Sequence, residues 1–291
     1  MSEPHIRQLT LDDLDDALAL SSTAGWNQRL DDWRVLLRIA PHGCVAAWSG
    51  DRVIGTAIGI DYGGFGWIAM MLVDPACRGR GLGRRLLEAA MAAIPPDRPI
   101  RLDATPLGRP LYLSAGFEDE TAITRLVRPA GARGVGRPSE TRPEIRPMTP
   151  ADLPRVAGCD AVVFGGHRQP VLEWALETAP AYAWIQDGDP PQYCFGRMGR
   201  VFNQVGPVVT SDDATAWALV GVALRAASHI ALTVDAVDAY PAFAGWLRES
   251  GFDAQRPLFR MRRPPAQPSA VDVPRPPARL AERAILGPEF A

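Results

Sequence analysis

Two nine-residue segments of this chain share one frame. "IRQLTLDDL" begins at Ile6 and "IRPMTPADL" at Ile145, and both read Ile-Arg-x-x-Thr-x-x-Asp-Leu. A second pair, "LYLSAGFED" around Gly116 and "WLRESGFDA" around Gly251, closes each half. The echoes lie 139 and 135 residues apart, so the 291-residue chain holds two copies of one fold. Whatever architecture it adopts must be buildable twice from about 120 residues. Each frame reads as a strand entering a capped helix, with Thr10 and Thr149 as N-caps and Asp13 and Asp152 three residues on. Pro150 falls at the first helical position, where its missing N–H costs little. The expected division is a first domain over 1–128, a linker over 129–144 rich in Gly, Pro and Arg, a second domain over 145–263 and a Pro-rich tail over 264–291. The tail reads as extended and weakly packed except near its end.

Within the first copy, periodicity predicts the order β-α-α-β-β-β-α-β-α-β. "GCVAAWSGDRVIGTAIGIDYG" reads as two strands around the Ser49–Gly50–Asp51 turn. "GWIAMMLVD" is continuously apolar, the mark of a central strand covered on both faces. Leu82, Leu86, Ala90 and Ile94 mark a helix that stops at Pro95–Pro96. The predicted class is α/β, a mixed sheet flanked by helices, present twice.

Several function classes fall away on composition. All 31 basic residues are arginine, so a phosphate-loop lysine and a pyridoxal Schiff base are both excluded. A net charge of −2 argues against non-specific nucleic-acid binding. Cys44, Cys77, Cys159 and Cys194 form no Cys-x-x-Cys pair, so no metal site is expected. No apolar run is long enough to span a bilayer, and no leader pattern opens the chain, so a cytoplasmic location is expected.

The most unusual stretch is "VDPACRGRGLGRRLL", residues 73–87. A buried strand ends at Asp74–Pro75, a glycine-rich loop follows, and a helix begins. The first helical turn presents unpaired N–H groups and a partial positive charge. Glycines let a ligand approach that backbone without meeting a Cβ. The arrangement is an anion cradle suited to phosphate or pyrophosphate. Its spacing, Gly79-x-Gly81-x-Gly83, does not fit the dinucleotide frame Gly-x-Gly-x-x-Gly.

Arg78-x-x-Gly81-x-Gly83 after Val73-Asp74-Pro75 resembles the acetyl-CoA motif of the GNAT N-acetyltransferase superfamily, and "PLYLSAGF" over 110–117 resembles the family's later Leu-Tyr-x-x-x-Gly-Phe segment. With the internal repeat, the chain resembles tandem-GNAT proteins. The resemblance implies that the backbone of Arg78, Gly79, Arg80, Gly81, Leu82, Gly83 and Arg84 holds the CoA pyrophosphate. Met71, Leu72 and Val73 would pair with the pantetheine arm as a strand would. An acceptor amine would then attack the thioester directly. A backbone N–H near Met71 or Leu72 would meet the oxyanion, and Tyr112 would protonate the departing thiolate.

The strand before Val73 carries no carboxylate, which departs from the glutamate many members place there. Asp61 and Asp103 are the nearest candidates for a general base, with His42 a weaker one; loss of the proton to bulk water, with no dedicated base, is the alternative. Trp26, Trp33, Phe65 and Trp67 cluster on the segments flanking the acceptor side, with Trp26 and Trp67 taken as acceptor-wall residues for a small-molecule amine. The second copy has lost the cradle: "VVTSDDATAWA", 208–218, replaces it, with Asp212 and Asp213 at the helix start and Leu247 matching Tyr112. It reads as structural or acceptor-binding. A non-catalytic CoA-binding sensor and an acyl-CoA lyase or decarboxylase are the alternative functions.

Overall fold

The structure, a computed structural model, describes residues 3–132, 134, 144–226, 229–267 and 280–290. Most of the expected linker and much of the Pro-rich tail lie outside the described residues. The chain divides into two compact units, Met1–Asp119 with Met261–Ala270, and Glu120–Arg260 with Val271–Ala291.

The first unit runs β1 (His5–Gln8), α1 (Leu14–Thr23), α2 (Leu30–Ile39), β2 (Cys44–Ser49), β3 (Arg52–Asp61), β4 (Gly66–Val73), α3 (Leu82–Met91), β5 (Ile100–Ala104) and α4 (Arg109–Ser114). Its strands are ordered β1-β2-β3-β4-β5, antiparallel up to β4 and parallel between β4 and β5. The predicted element order is reproduced throughout, ending in β6 (Glu118–Arg128). On α3, Leu82, Leu86, Leu87 and Ala90 are buried while Arg84, Arg85 and Glu88 are exposed. That stripe docks the helix on β3 and β4.

The second unit repeats the plan as β7 (Ile145–Pro147), α5 (Leu153–Phe164), α6 (Gln169–Thr178), β8 (Trp184–Gln186), β9 (Gln192–Arg197), β10 (Asn203–Thr210), α7 (Asp213–Ala226), β11 (Leu232–Val237), α8 (Pro241–Glu249) and β12 (Asp253–Arg263), with an added β13 (Ala281–Ile285). Together the units give a mixed α/β fold with eight α-helices among the described residues.

Spatial grouping and chain order divide the molecule differently. β6, the last strand of the first copy, pairs antiparallel with β11 from Ile123↔Val237 to Arg128↔Leu232, and so builds the second unit. Its two arginines are buried there: the Arg125 guanidinium donates to both oxygens of Asp235 at 2.7 and 2.6 Å. The tail packs near its end. Residues 281–285 form a largely buried strand of the second unit, because Ala284 and Ile285 are apolar and both neighbouring charges, Glu282 and Arg283, find partners.

Both repeat frames are caps. Asp13 Oδ2 accepts from the Thr10 N–H and hydroxyl, each at 2.8 Å, and Arg7 forks onto the carboxylate at 2.8 Å. Asp152 does the same with Thr149 and Arg146. The Arg7 hydrogen bonds, and then those from Thr10, hold Asp13 down at about 2 against the opposing effect of burial. The folded value therefore lies below the ordinary unfolded one of about 3.9. The stabilisation is complete above that value and is lost as pH falls toward about 2. Asp13→Asn should cost about 1 kcal/mol at pH 7, the size of a lost cap, since half-exposed Arg7 adds little. Thermal melts of the two proteins should converge as the pH drops from about 4 to about 2.

Candidate functional site

β4 and β5 run parallel but pair at two positions, Gly66↔Ile100 and Trp67↔Arg101. Beyond these the strands separate while β4 continues to Val73 and β5 to Ala104. The C-terminal halves of the two strands thus bound a wedge, closed at one end by the shared pairs. An open strand edge of this kind offers backbone donors and acceptors to an extended ligand.

The outer end of β4 is irregular. Thr56 stands opposite Leu72 and Ile58 opposite Ala69, so Met70 and Met71 share the single partner Ala57. Met70 adopts φ +51°, the left-handed region, unusual for a side chain of this kind. Such a conformation costs about 1–3 kcal/mol and persists where surroundings over-determine it. Here the buried Thr56 hydroxyl donates to the Met70 carbonyl at 2.7 Å and pins the turned peptide. The sequence reading missed both residues, and no local pattern in "IAMMLVD" signals a bulge.

Beyond β4, Asp74 caps a short turn by accepting from the Ala76 N–H at 2.9 Å, and Arg52 pairs with it at 2.8 Å. The chain then enters the glycine loop. Gly79 and Gly81 take φ +76° and +77°, and a Cβ on either would meet nothing within 4 Å. The open space in front of them is the space a phosphate would need. α3 starts at Leu82 with Gly81 as its cap, and no side chain closes that cap. Arg78, Arg80 and Arg84 are exposed around it; Arg78 Nε donates to the Val73 carbonyl at 3.0 Å, and Arg84 pairs with Glu88 at 3.1 Å. The loop therefore presents first-turn amides within a positive rim.

α4 brings Tyr112 to the same corner. A Cβ on Gly83 would lie 3.5 Å from Leu111 Cδ2 and 3.8 Å from Val73 Cγ2, so the end of β4, the start of α3 and α4 meet there. Tyr112 is 7% exposed and packs edge-on to Phe117 at 5.9 Å. A Cβ on Gly108, in the turn after β5, would lie 3.7 Å from its hydroxyl. Burial pushes the phenol well above its usual range, so it keeps its proton at neutral pH.

Two family models match the chain, the acetyltransferase (GNAT) family over residues 9–106 and an acetyltransferase (GNAT) domain over 156–271, together well over half its length. The chain belongs to the GNAT acetyltransferase family. The N-acetyltransferase YitH of Bacillus subtilis, itself uncharacterized, is 25% identical over 205 residues, covering 69% of this chain and 71% of that protein. Among solved structures, a protein described as an acetyltransferase from Pyrococcus horikoshii matches 100% of this chain and 97% of its own at a TM-score of 0.76 and 21% identity. A tandem GNAT protein of the clavulanic acid biosynthesis pathway matches 92% of this chain and 100% of its own at 0.61 and 17% identity. At such identities these structures speak for the fold alone.

The remaining candidates of this tandem GNAT chain are spread around the first unit. Asp61 ends β3, accepts from the Gly63 N–H at 2.8 Å and lies 3.8 Å from Arg98. Asp103 is half-buried on β5, two residues beyond Arg101 and therefore on the same face. His42 is exposed in the turn before β2. Trp26 is half-buried between α1 and α2, its N–H bonded to the Ser21 carbonyl at 3.0 Å. Trp67 is fully buried at the joined end of β4 and β5, edge-on to Phe65 at 6.3 Å, and Trp33 and Phe65 are also buried. Among the described residues no helix is long and apolar enough to cross a membrane, and no group of three or more His, Cys, Asp or Glu is placed to hold a metal ion.

The second GNAT copy closes the cradle. Only Ser211 and Asp212 separate β10 from α7, where the first copy has residues 74–81. Asp212 caps the helix, accepting from the Thr215 N–H at 2.8 Å. Partial burial would raise its carboxyl, but the hydrogen bonds from Thr215 and Ser211 hold it below the ordinary range, so it is anionic where a phosphate would sit. Leu247, matching Tyr112, is buried on α8 and has no proton to give.

Proposed function

We propose that the chain transfers an acetyl group from acetyl-CoA to the amine of a small molecule by direct attack, at a single site in the first copy. The observation that carries this reading is the wedge between β4 and β5 with an uncapped glycine cradle at its mouth. Residues 78–84 hold the pyrophosphate through backbone amides. Met71, Leu72 and Val73 bind the pantetheine arm along the open edge of β4. The bulge at Met70 turns the backbone so that the N–H of Met71 or Leu72 meets charge developing on the acyl oxygen. Tyr112 gives its proton to the leaving sulfur; its burial keeps the phenol protonated until then, and lowers its strength as an acid.

Trp26, partly exposed on the α1–α2 connection, forms the acceptor wall, while Trp67 is sealed against Phe65. Asp61 and Asp103 are the two carboxylates placed to take the amine's proton. The second copy supports the fold and shapes acceptor use without binding cofactor.

The test is thiol release from acetyl-CoA against a panel of small amines, which should be amine-dependent and stoichiometric with N-acetyl product. Thiol release without acylated product would overturn it. Tyr112→Phe should lower turnover by about 10²–10⁴-fold while leaving the Kd for acetyl-CoA within about twofold. Full turnover in that variant, with chemistry rate-limiting, would place Tyr112 in the core alone.

A further inference from the structure

The two copies treat the same cleft in opposite ways. In the second unit β10 and β11 also run parallel and also join at two pairs, Asn203↔Leu232 and Gln204↔Thr233. A register break follows on β10 between Val205 and Val208, as one does near Met70 on β4. Past the junction the first copy leaves its strands apart, but the second places β13 between them. β13 pairs antiparallel with β10 through Val208↔Ala284, Val209↔Glu282 and Thr210↔Ala281, and with β11 through Asp235↔Ile285 and Ala236↔Ala284. An extended segment of the chain's own C-terminal region thus fills the wedge that the first copy keeps open.

The segment is held as a ligand is held, by side chains of the surrounding cleft. Glu282 pairs with buried Arg168 at 2.8 Å and with Arg260 at 3.5 Å. Arg283 pairs with Asp213 at 2.8 Å and lies over the Tyr240 ring at 4.1 Å. Glu289 forms a buried ion pair with Arg197. Phe290 is fully buried against Trp174, ring centres 5.1 Å apart. The cleft wall is shaped to receive it: Gly206 has φ +155°, and a Cβ there would lie 2.0 Å from the Ile285 carbonyl oxygen. The Gln204 amide donates to that same oxygen at 3.4 Å. Fully buried charges are costly unless paired, so the cleft and segment are complementary in charge as well as shape.

We propose that the second copy has kept its interstrand cleft as a slot for an extended peptide, and that residues 280–290 of this chain are the resident ligand, standing where the first copy takes its cofactor. Backbone ladders on both sides give the slot its affinity, and the flanking ion pairs and the Phe290 pocket give it specificity. The comparison with a cofactor rests on the function proposed above. The peptide occupancy rests on geometry alone, and its test reads no cofactor chemistry.

Hydrogen exchange on the full chain is the first readout. Amides of 281–285 should exchange as slowly as those of Val205, Val208 and Val209, through global unfolding. Phe290→Ala should lower the thermal midpoint by on the order of 10 °C, as expected for emptying a buried aromatic pocket. In trans, a chain ending at residue 279, co-expressed with residues 280–291 fused to a carrier, should retain the carrier one to one. Exchange of 281–285 within seconds in the full chain would overturn the proposal. So would a chain ending at 279 that melts like the full protein and retains no carrier.

Discussion

Gly81→Glu should abolish acetyl-CoA binding while lowering the thermal midpoint by only a few degrees, roughly the cost of a side chain in the left-handed region. The glycine has φ +77°, caps α3, and faces open space in which a Cβ meets nothing within 4 Å. A glutamate there projects into the volume assigned to the pyrophosphate and sets a negative charge at the helix end that should receive one. Losing the charge-assisted bonds from one first-turn amide and adding repulsion is worth about 3 kcal/mol or more, at least about 100-fold in Kd. The left-handed backbone also disfavours a side chain, so a control is needed. Gly81→Asn tolerates that conformation without charge and should weaken binding far less. Gly83→Ala is a second control, since a Cβ there meets its neighbours at ordinary distances of 3.5 and 3.8 Å. Isothermal titration of the three variants separates charge from strain. Equal loss in Gly81→Asn and Gly81→Glu would mean that backbone strain, not the anion site, is being read.

Residues 1–128 expressed alone should not fold to a stable monomer. Ile123 and Leu126 on β6 are fully buried, Arg125 and Arg128 are nearly so, and β6 pairs with β11 of the second copy. Cutting after residue 128 exposes this strand and strips Arg125 of Asp235. Removing one partner of a buried ion pair costs about 3–5 kcal/mol, and an unpaired apolar strand edge invites aggregation. The fragment also lacks Met261–Ala270, which the first unit includes, with the Gln267 N–H bonded to the Pro96 carbonyl at 3.0 Å. Gel filtration should show aggregates, and circular dichroism should show no cooperative melt. A monodisperse fragment that melts within a few degrees of the full chain and binds acetyl-CoA normally would contradict this.

Local signals in the sequence reached a long way. The frame around Thr10 and Thr149 did foretell two caps, since capping depends on residues three apart. The glycine loop after a continuously apolar strand foretold an uncapped helix start, and Asp212 and Asp213 foretold its loss in the second copy. Features set by tertiary pairing were not legible. Nothing in "AITRLVR" says which strand it will lie against, because alternation reports burial and not the partner. That the tail's end would form a strand was not legible either: Glu282 and Arg283 are core-compatible only once Arg168 and Asp213 are in place. The bulge at Met70 depends on Thr56, fourteen residues away on the next strand. Trp67 looked like a wall residue because aromatic content near an acceptor side does not distinguish a lining ring from one sealed behind it.

The central claim is one working cofactor site in two copies of the fold. Titration calorimetry of the full chain with acetyl-CoA reads it directly. The account predicts a single class of sites with one acetyl-CoA per chain, abolished by Gly81→Glu. Two equivalent sites per chain, or saturable binding that survives Gly81→Glu, would contradict it.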